Sequence, residues 1–100
     1  MGTFSLSSPA RKDLVDIKEY TIKAWGYNQA INYLSEIYSA MQTIADMPAI
    51  GKKRSEISDQ YFSFAFGSHV IYYINNGDKV VISAVLHKSM VPELHLDING

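Results

Sequence analysis

The 100-residue chain contains no cysteine, which removes disulfides, thiolate metal sites and cysteine nucleophiles together. The fold must then stand on packing alone, as a cytosolic protein's normally does. No apolar run reaches the length of a membrane span, so no transmembrane helix is expected. The opening stretch MGTFSL lacks the basic-then-apolar layout of a signal peptide. Leu6 stands where N-myristoylation requires Ser or Thr. A cytoplasmic location is the expectation. Charge of one sign is scarce too: nine Lys and Arg against ten Asp and Glu leave a formal net charge of −1. That balance disfavours non-specific binding to nucleic-acid phosphates. Gly-rich phosphate loops, Walker signatures and nucleophile elbows are also missing.

What is present is the composition of a globular protein, 47% apolar and 19% charged. The length suits one domain over residues 1–100, with a core from about residue 3 to 90 and a polar C-terminal tail over 91–100 that is free to reach outward. Thr3 to Leu6 alternates and reads as a short strand. Ser8 followed by Pro9 reads as a helix start, with Ser8 as N-cap. Ala10, Leu14, Ile17, Thr21 and Ala24 recur at helical spacing, and Gly26 ends the run. A second stripe, Ala30, Leu34, Ile37, Met41 and Ile44, follows an N-cap at Asn28 and closes before Pro48. Helices joined by only two or three residues must form an antiparallel hairpin.

From Tyr61 the period changes to two, with Phe62, Phe64 and Phe66 on one face. Gly67-Ser68 and Asn75 to Asp78 read as turns around a strand from His69 to Ile74. Lys79 to Leu86 is apolar on both faces at Val80-Val81-Ile82, the mark of a central strand. The expected architecture is α+β, in the order β-α-α-β-β-β, with the helical hairpin laid on a small, mostly antiparallel sheet.

These segments, in this order, resemble the ParE-type toxins of bacterial toxin–antitoxin systems, within the wider RelE/ParE superfamily. The resemblance rests on LSSPARKDLVDIKEYTIKAWGYNQAINYL, MPAIGKKRSEI, GSHVIYYI and VLHKSM, spread between Leu6 and Met90. It implies a toxin that inhibits DNA gyrase by binding and is neutralised by a ParD-like antitoxin. No cofactor is implied. The chain departs from the pattern where such toxins often carry strand arginines: Phe62, Ser63 and Ala84 stand there. A weak toxin, or a relic that only binds antitoxin, is the corresponding alternative.

An endoribonuclease on the same fold is the runner-up, with Glu56 as general base and His87 as general acid. It would need a fixed cation beside the phosphate, worth about 3 kcal/mol or more, yet Val70 and Ile71 follow His69 where such enzymes place an arginine. His69 and His87 are therefore expected to be structural. His87, Glu93 and His95 match no metal-ligand spacing. Lys52, Lys53 and Arg54 form a basic connector that suits an acidic partner surface. With His87 and Lys88 they are the candidate gyrase contacts. Val15, Ile22, Tyr27, Ile31 and Tyr38 exceed what one buried helix face needs and are the candidate antitoxin row.

Overall fold

The computed structural model describes residues 2–96, so residues 97–100 of the expected tail lie outside the described residues. Its elements run β1 (Thr3–Leu6), α1 (Ser8–Trp25), α2 (Tyr27–Asp46), β2 (Lys52–Lys53), β3 (Tyr61–Phe66), β4 (His69–Asn75) and β5 (Lys79–His87). The strands form one sheet in the order β1-β5-β4-β3-β2. β1 pairs with β5 in parallel and every other neighbour is antiparallel. The expected α+β architecture is present, and β5 is central as its two apolar faces require. β2 was not expected: the lysines read as part of a loop pair with Ser63 and Phe62 as a short edge strand.

The helix boundaries differ from the sequence reading by one or two residues, for identifiable reasons. Ser7, not Ser8, is the N-cap of α1, its Oγ accepting from the Ala10 N–H at 3.1 Å. Ser7 still pairs with the sheet through its N–H to the Ile82 carbonyl at 3.0 Å. The extended backbone that an N-cap needs is thereby fixed at Ser7, and Ser8 is already helical. A single residue, Gly26 at φ 93°, separates the helices. That left-handed region favours glycine. Asn28 lies inside α2, and Ala24 is exposed near the end of α1.

The hairpin covers one face of the sheet. Ala10, Leu14 and Ile17 of α1 and Ile37, Met41 and Ile44 of α2 bury against Ile71, Tyr73, Val80, Ile82 and Val85. Phe62, Phe64 and Phe66 line the edge of this core, as their alternation predicts, and Leu34 is only partly buried beside it. A second, smaller cluster occupies the opposite face: Tyr61, Tyr72, Ala84 and Leu86, closed over by Ile57 and Leu96. The segment after Met90 is therefore anchored by Leu96 and does not reach outward along its described length.

A β-bulge in β5 decides what reaches the functional end. Tyr72 pairs with Ala84 and Tyr73 with Ile82, so Ser83 is an extra residue. Val80 and Ile82 face the helices before the bulge and Val85 does after it, while Ala84 and Leu86 fall in the opposite cluster. β1 ends at Leu6, opposite Ile82, so beyond that point β5 has β4 on one side and no strand on its other edge. Ser7 Oγ donates to the Ser83 carbonyl at 2.9 Å, and the Asp13 carboxylate accepts from the Val85 N–H at 3.0 Å. Two side chains from the start of α1 thus satisfy the strand where β1 no longer can.

Candidate functional site

Because of that bulge, His87 joins His69 on the helix side of the sheet end. The two are directly paired across β4 and β5, with ring centroids 5.6 Å apart in an edge-on arrangement. Tyr33 reaches them from α2. It sits in the buried stripe of that helix, four residues before Ile37, and its hydroxyl needs a partner once the ring is packed. It accepts from the Ser68 N–H at 3.2 Å and shares a hydrogen bond with His69 Nδ1 at 2.7 Å. Gly67 makes this approach feasible. It holds φ 57° at the first position of the two-residue turn, and a Cβ there would lie 2.7 Å from the Tyr33 hydroxyl.

A backbone hydrogen bond fixes the His87 tautomer. The Ser89 N–H donates to His87 Nδ1 at 3.1 Å, and the Ser89 hydroxyl lies 2.7 Å from the same nitrogen. A backbone N–H can only donate, so His87 Nδ1 is an acceptor and the neutral ring carries its proton on Nε2. His69 Nδ1 shares its hydrogen bond with the Tyr33 hydroxyl, which can donate or accept. Burial first, and then the neighbouring His87, hold the His69 pKa below the usual histidine value. Asp13 is pushed the other way: burial raises its pKa, partly offset by the Val85 N–H.

Around these rings lies a groove of about 630 Å³ between the hairpin tip and the sheet end, lined by Asp16, Tyr20, Trp25, Tyr33, His69, His87 and Met90 among others. A smaller hollow of about 280 Å³ continues past Lys12, Asp13 and His95. The sequence singles out neither Tyr33 nor Tyr20 as a site residue, and Trp25 only as an aromatic at the hairpin tip. The available signal was a tyrosine within an apolar stripe and a tryptophan at a helix end.

The runner-up catalytic pair is not brought together. Glu56 belongs to the loop that re-enters β3 at Tyr61, where the Arg54 N–H bonds the Tyr61 carbonyl. His87 lies at the Phe66 end of the sheet, through the pairs Phe66–His69 and His69–His87. The six residues of β3 span roughly 17 Å, so the two groups sit at opposite ends and cannot share a substrate phosphate. Glu56 is instead ion-paired with Arg54 at 2.6 Å, which lowers its pKa. Nor do His87, Glu93 and His95 assemble: no metal-holding group occurs among the described residues.

Arg54 is already engaged. Its guanidinium donates to Ser63 Oγ at 3.2 Å and lies 5.6 Å from the Tyr72 ring centroid. Ser63, Tyr72 and Ala84 form a row across β3, β4 and β5. A cation, delivered by the loop after β2, therefore covers the row that holds Ser63 and Ala84, two of the three positions where the resemblance leads one to expect arginine. Lys52 and Lys53 are exposed on the edge strand, whereas His87 and Lys88 lie at the far end of the sheet, so the candidate gyrase contacts form two separate groups. Of the candidate antitoxin row, Val15, Tyr27, Ile31 and Tyr38 are exposed and Ile22 is half-buried.

Comparison with known proteins agrees with this architecture. A family model described as the ParE toxin of the type II toxin–antitoxin system parDE matches residues 4–92. Toxin ParE1 of Caulobacter vibrioides is 38% identical over 96 residues, spanning 96% of this chain and 99% of that protein. Toxin ParE1 of Mycobacterium tuberculosis is 34% identical over 88 residues, spanning 87% and 90%. Among solved structures, the chromosomal ParDE system from P. aeruginosa matches with a TM-score of 0.75 at 13% identity, over 87% of this chain and 96% of that one. The toxin–antitoxin complex RelBE2 from Mycobacterium tuberculosis matches with a TM-score of 0.63 at 21% identity, over 87% and 98%. These two likenesses are of fold.

Proposed function

The chain belongs to the ParE toxin family of type II toxin–antitoxin systems, and we propose on that premise that it inhibits DNA gyrase by occupying a surface. A ParD-like antitoxin holds it inactive, and both contacts are made in the bacterial cytoplasm. The observation that carries the binding reading is the separation of Glu56 from His87, with each already committed to a local partner. A general acid and base must both reach the reacting group, and here they cannot. The exposed helix row Tyr27, Ile31 and Tyr38 suits an antitoxin helix, and the Lys52–Lys53 edge suits an acidic gyrase surface.

The test is a supercoiling assay with purified toxin in clear molar excess over gyrase, since Phe62, Ser63 and Ala84 replace arginines and modest potency is expected. Supercoiling should be lost or cleaved DNA trapped, and Lys52→Glu with Lys53→Glu should weaken the effect. Arg54 is left intact because its guanidinium also supports Ser63 and Tyr72. Folded toxin with no effect on gyrase would refute the target. Messenger RNA cleavage lost in His87→Ala would restore the endoribonuclease reading.

A further inference from the structure

The groove at the hairpin tip has a composition that a general apolar docking face would not need. Trp25 and Tyr20 are among its walls yet stand 72% and 71% exposed. Neither stacks on another ring among the described residues. Ile17, Tyr33 and Met90 continue the apolar lining. Among the described residues, no Lys or Arg lines the groove and its one carboxylate is Asp16. Among the described residues, the one ionic partner of Asp16 is Lys12, at 3.2 Å between two exposed side chains. Such a pair is worth little and exchanges readily. His69, which also lines the groove, is half-buried, and that burial holds its pKa below the usual histidine value.

Open aromatic faces beside a carboxylate paired only weakly, to an exposed lysine, form a receptor for a cation. Trp gives the strongest cation–π attraction of the aromatic residues, and an arginine guanidinium both stacks on a ring and hydrogen-bonds a carboxylate. We infer that this groove captures a basic side chain, arginine foremost, from the antitoxin segment that covers the hairpin tip, with Trp25 and Tyr20 as the stacking surfaces and Asp16 as the counter-ion. The contact is distinct from the row of Ile31 and Tyr38 and would anchor the partner at the open end of the hairpin. This rests on the reading of the chain as an antitoxin-bound toxin.

Trp25 is the single tryptophan, so intrinsic fluorescence reports the groove directly. The free toxin is titrated with a capped arginine tripeptide and with its citrulline counterpart, which has nearly the same shape without the charge. The arginine peptide should give a saturable change that added salt weakens, at least about threefold tighter than citrulline and lost in Asp16→Asn. Equal responses to both peptides, or none, would overturn the cation site. In parallel, the ParD-like antitoxin encoded beside the toxin is titrated against wild type, Trp25→Ala and Asp16→Asn. Losses of about tenfold or more for Trp25→Ala and about threefold for Asp16→Asn are expected. An antitoxin that binds wild type and both variants alike removes the groove from the interface while leaving the toxin–antitoxin reading intact. An antitoxin that fails to bind wild type refutes the antitoxin half of the inference, and the peptide titration then decides the cation site alone. Both side chains are exposed, so neither substitution threatens the fold.

Discussion

The two faces of the sheet are sealed in different ways. On one, two full helices lay down Ile37, Met41 and Ile44, each fully buried, against Ile71, Tyr73 and Ile82. On the other, Ile57 from a loop and Leu96 from the C-terminal segment close over Tyr61, Tyr72, Ala84 and Leu86. Regular elements bury many side chains for the backbone order they impose, whereas a lone side chain on irregular chain contributes little beyond itself. The helix face should therefore carry the global stability, and the opposite face should open locally at lower cost.

That contrast breaks or sharpens under four measurements, from the largest expected effect downward. Ile37→Ala should destabilise by about 2–5 kcal/mol as a fully buried truncation, read as a shift of the urea midpoint at constant slope. Leu34→Ala, at a partly buried position, should cost clearly less. A change under about 0.5 kcal/mol for Ile37→Ala would mean that the helices do not carry the core.

Tyr73→Phe comes next, at about 1–3 kcal/mol. The Tyr73 hydroxyl donates to the Pro48 carbonyl and accepts from the Gly51 N–H, tying the chain between α2 and β2 to the centre of the sheet. The ring keeps its packing in the variant, so the loss isolates those two bonds. An unaltered midpoint would show that water satisfies both groups without cost.

Leu96→Ala should cost only about 1 kcal/mol, because the segment that carries it can relax into the space. Hydrogen exchange should quicken at Tyr72 and Leu86 while the hairpin amides keep their protection. A loss equal to that of Ile37→Ala would make the faces equivalent and end the contrast.

The smallest effect is a pH dependence on the helix side. His69 has its pKa depressed by burial and by His87, so the unfolded chain binds more protons than the folded one between the folded value and about 6.5. Stability from this group is complete above about pH 6.5 and declines as pH falls through that value toward the folded pKa. The denaturation midpoint should drop over this window, and His69→Gln should flatten the slope. Identical slopes in both proteins would show that His69 keeps an ordinary pKa.

Much of the fold was legible because its signals are local. A 3.6-residue period places Leu14 and Ile17 with Ile37 and Met41, and a two-residue period places Phe62, Phe64 and Phe66 together; neither depends on distant chain. Boundaries were less legible. Ser7 is the N-cap because the Ile82 carbonyl holds it extended, a constraint from far along the chain. The two-residue strand at Lys52 and Lys53 has no periodicity to show, and only its pairing with β3 defines it.

By itself, then, the sequence determined the order of both helices and of every strand but β2, the helix stripe that makes the core and the centrality of β5, through side-chain periodicity and turn residues. Tertiary structure alone decided which side of the sheet the last strand presents. One extra residue at Ser83 reverses the alternation, sending Leu86 to the small cluster and His87 to the groove with His69. That bulge is held by Ser7 and Asp13, which lie 76 and 72 residues from the groups they satisfy. Tertiary structure also set Arg54 over Tyr72 and divided Glu56 from His87. A strand's alternation is a local property, but which face it points to is fixed by the partners that pair its backbone.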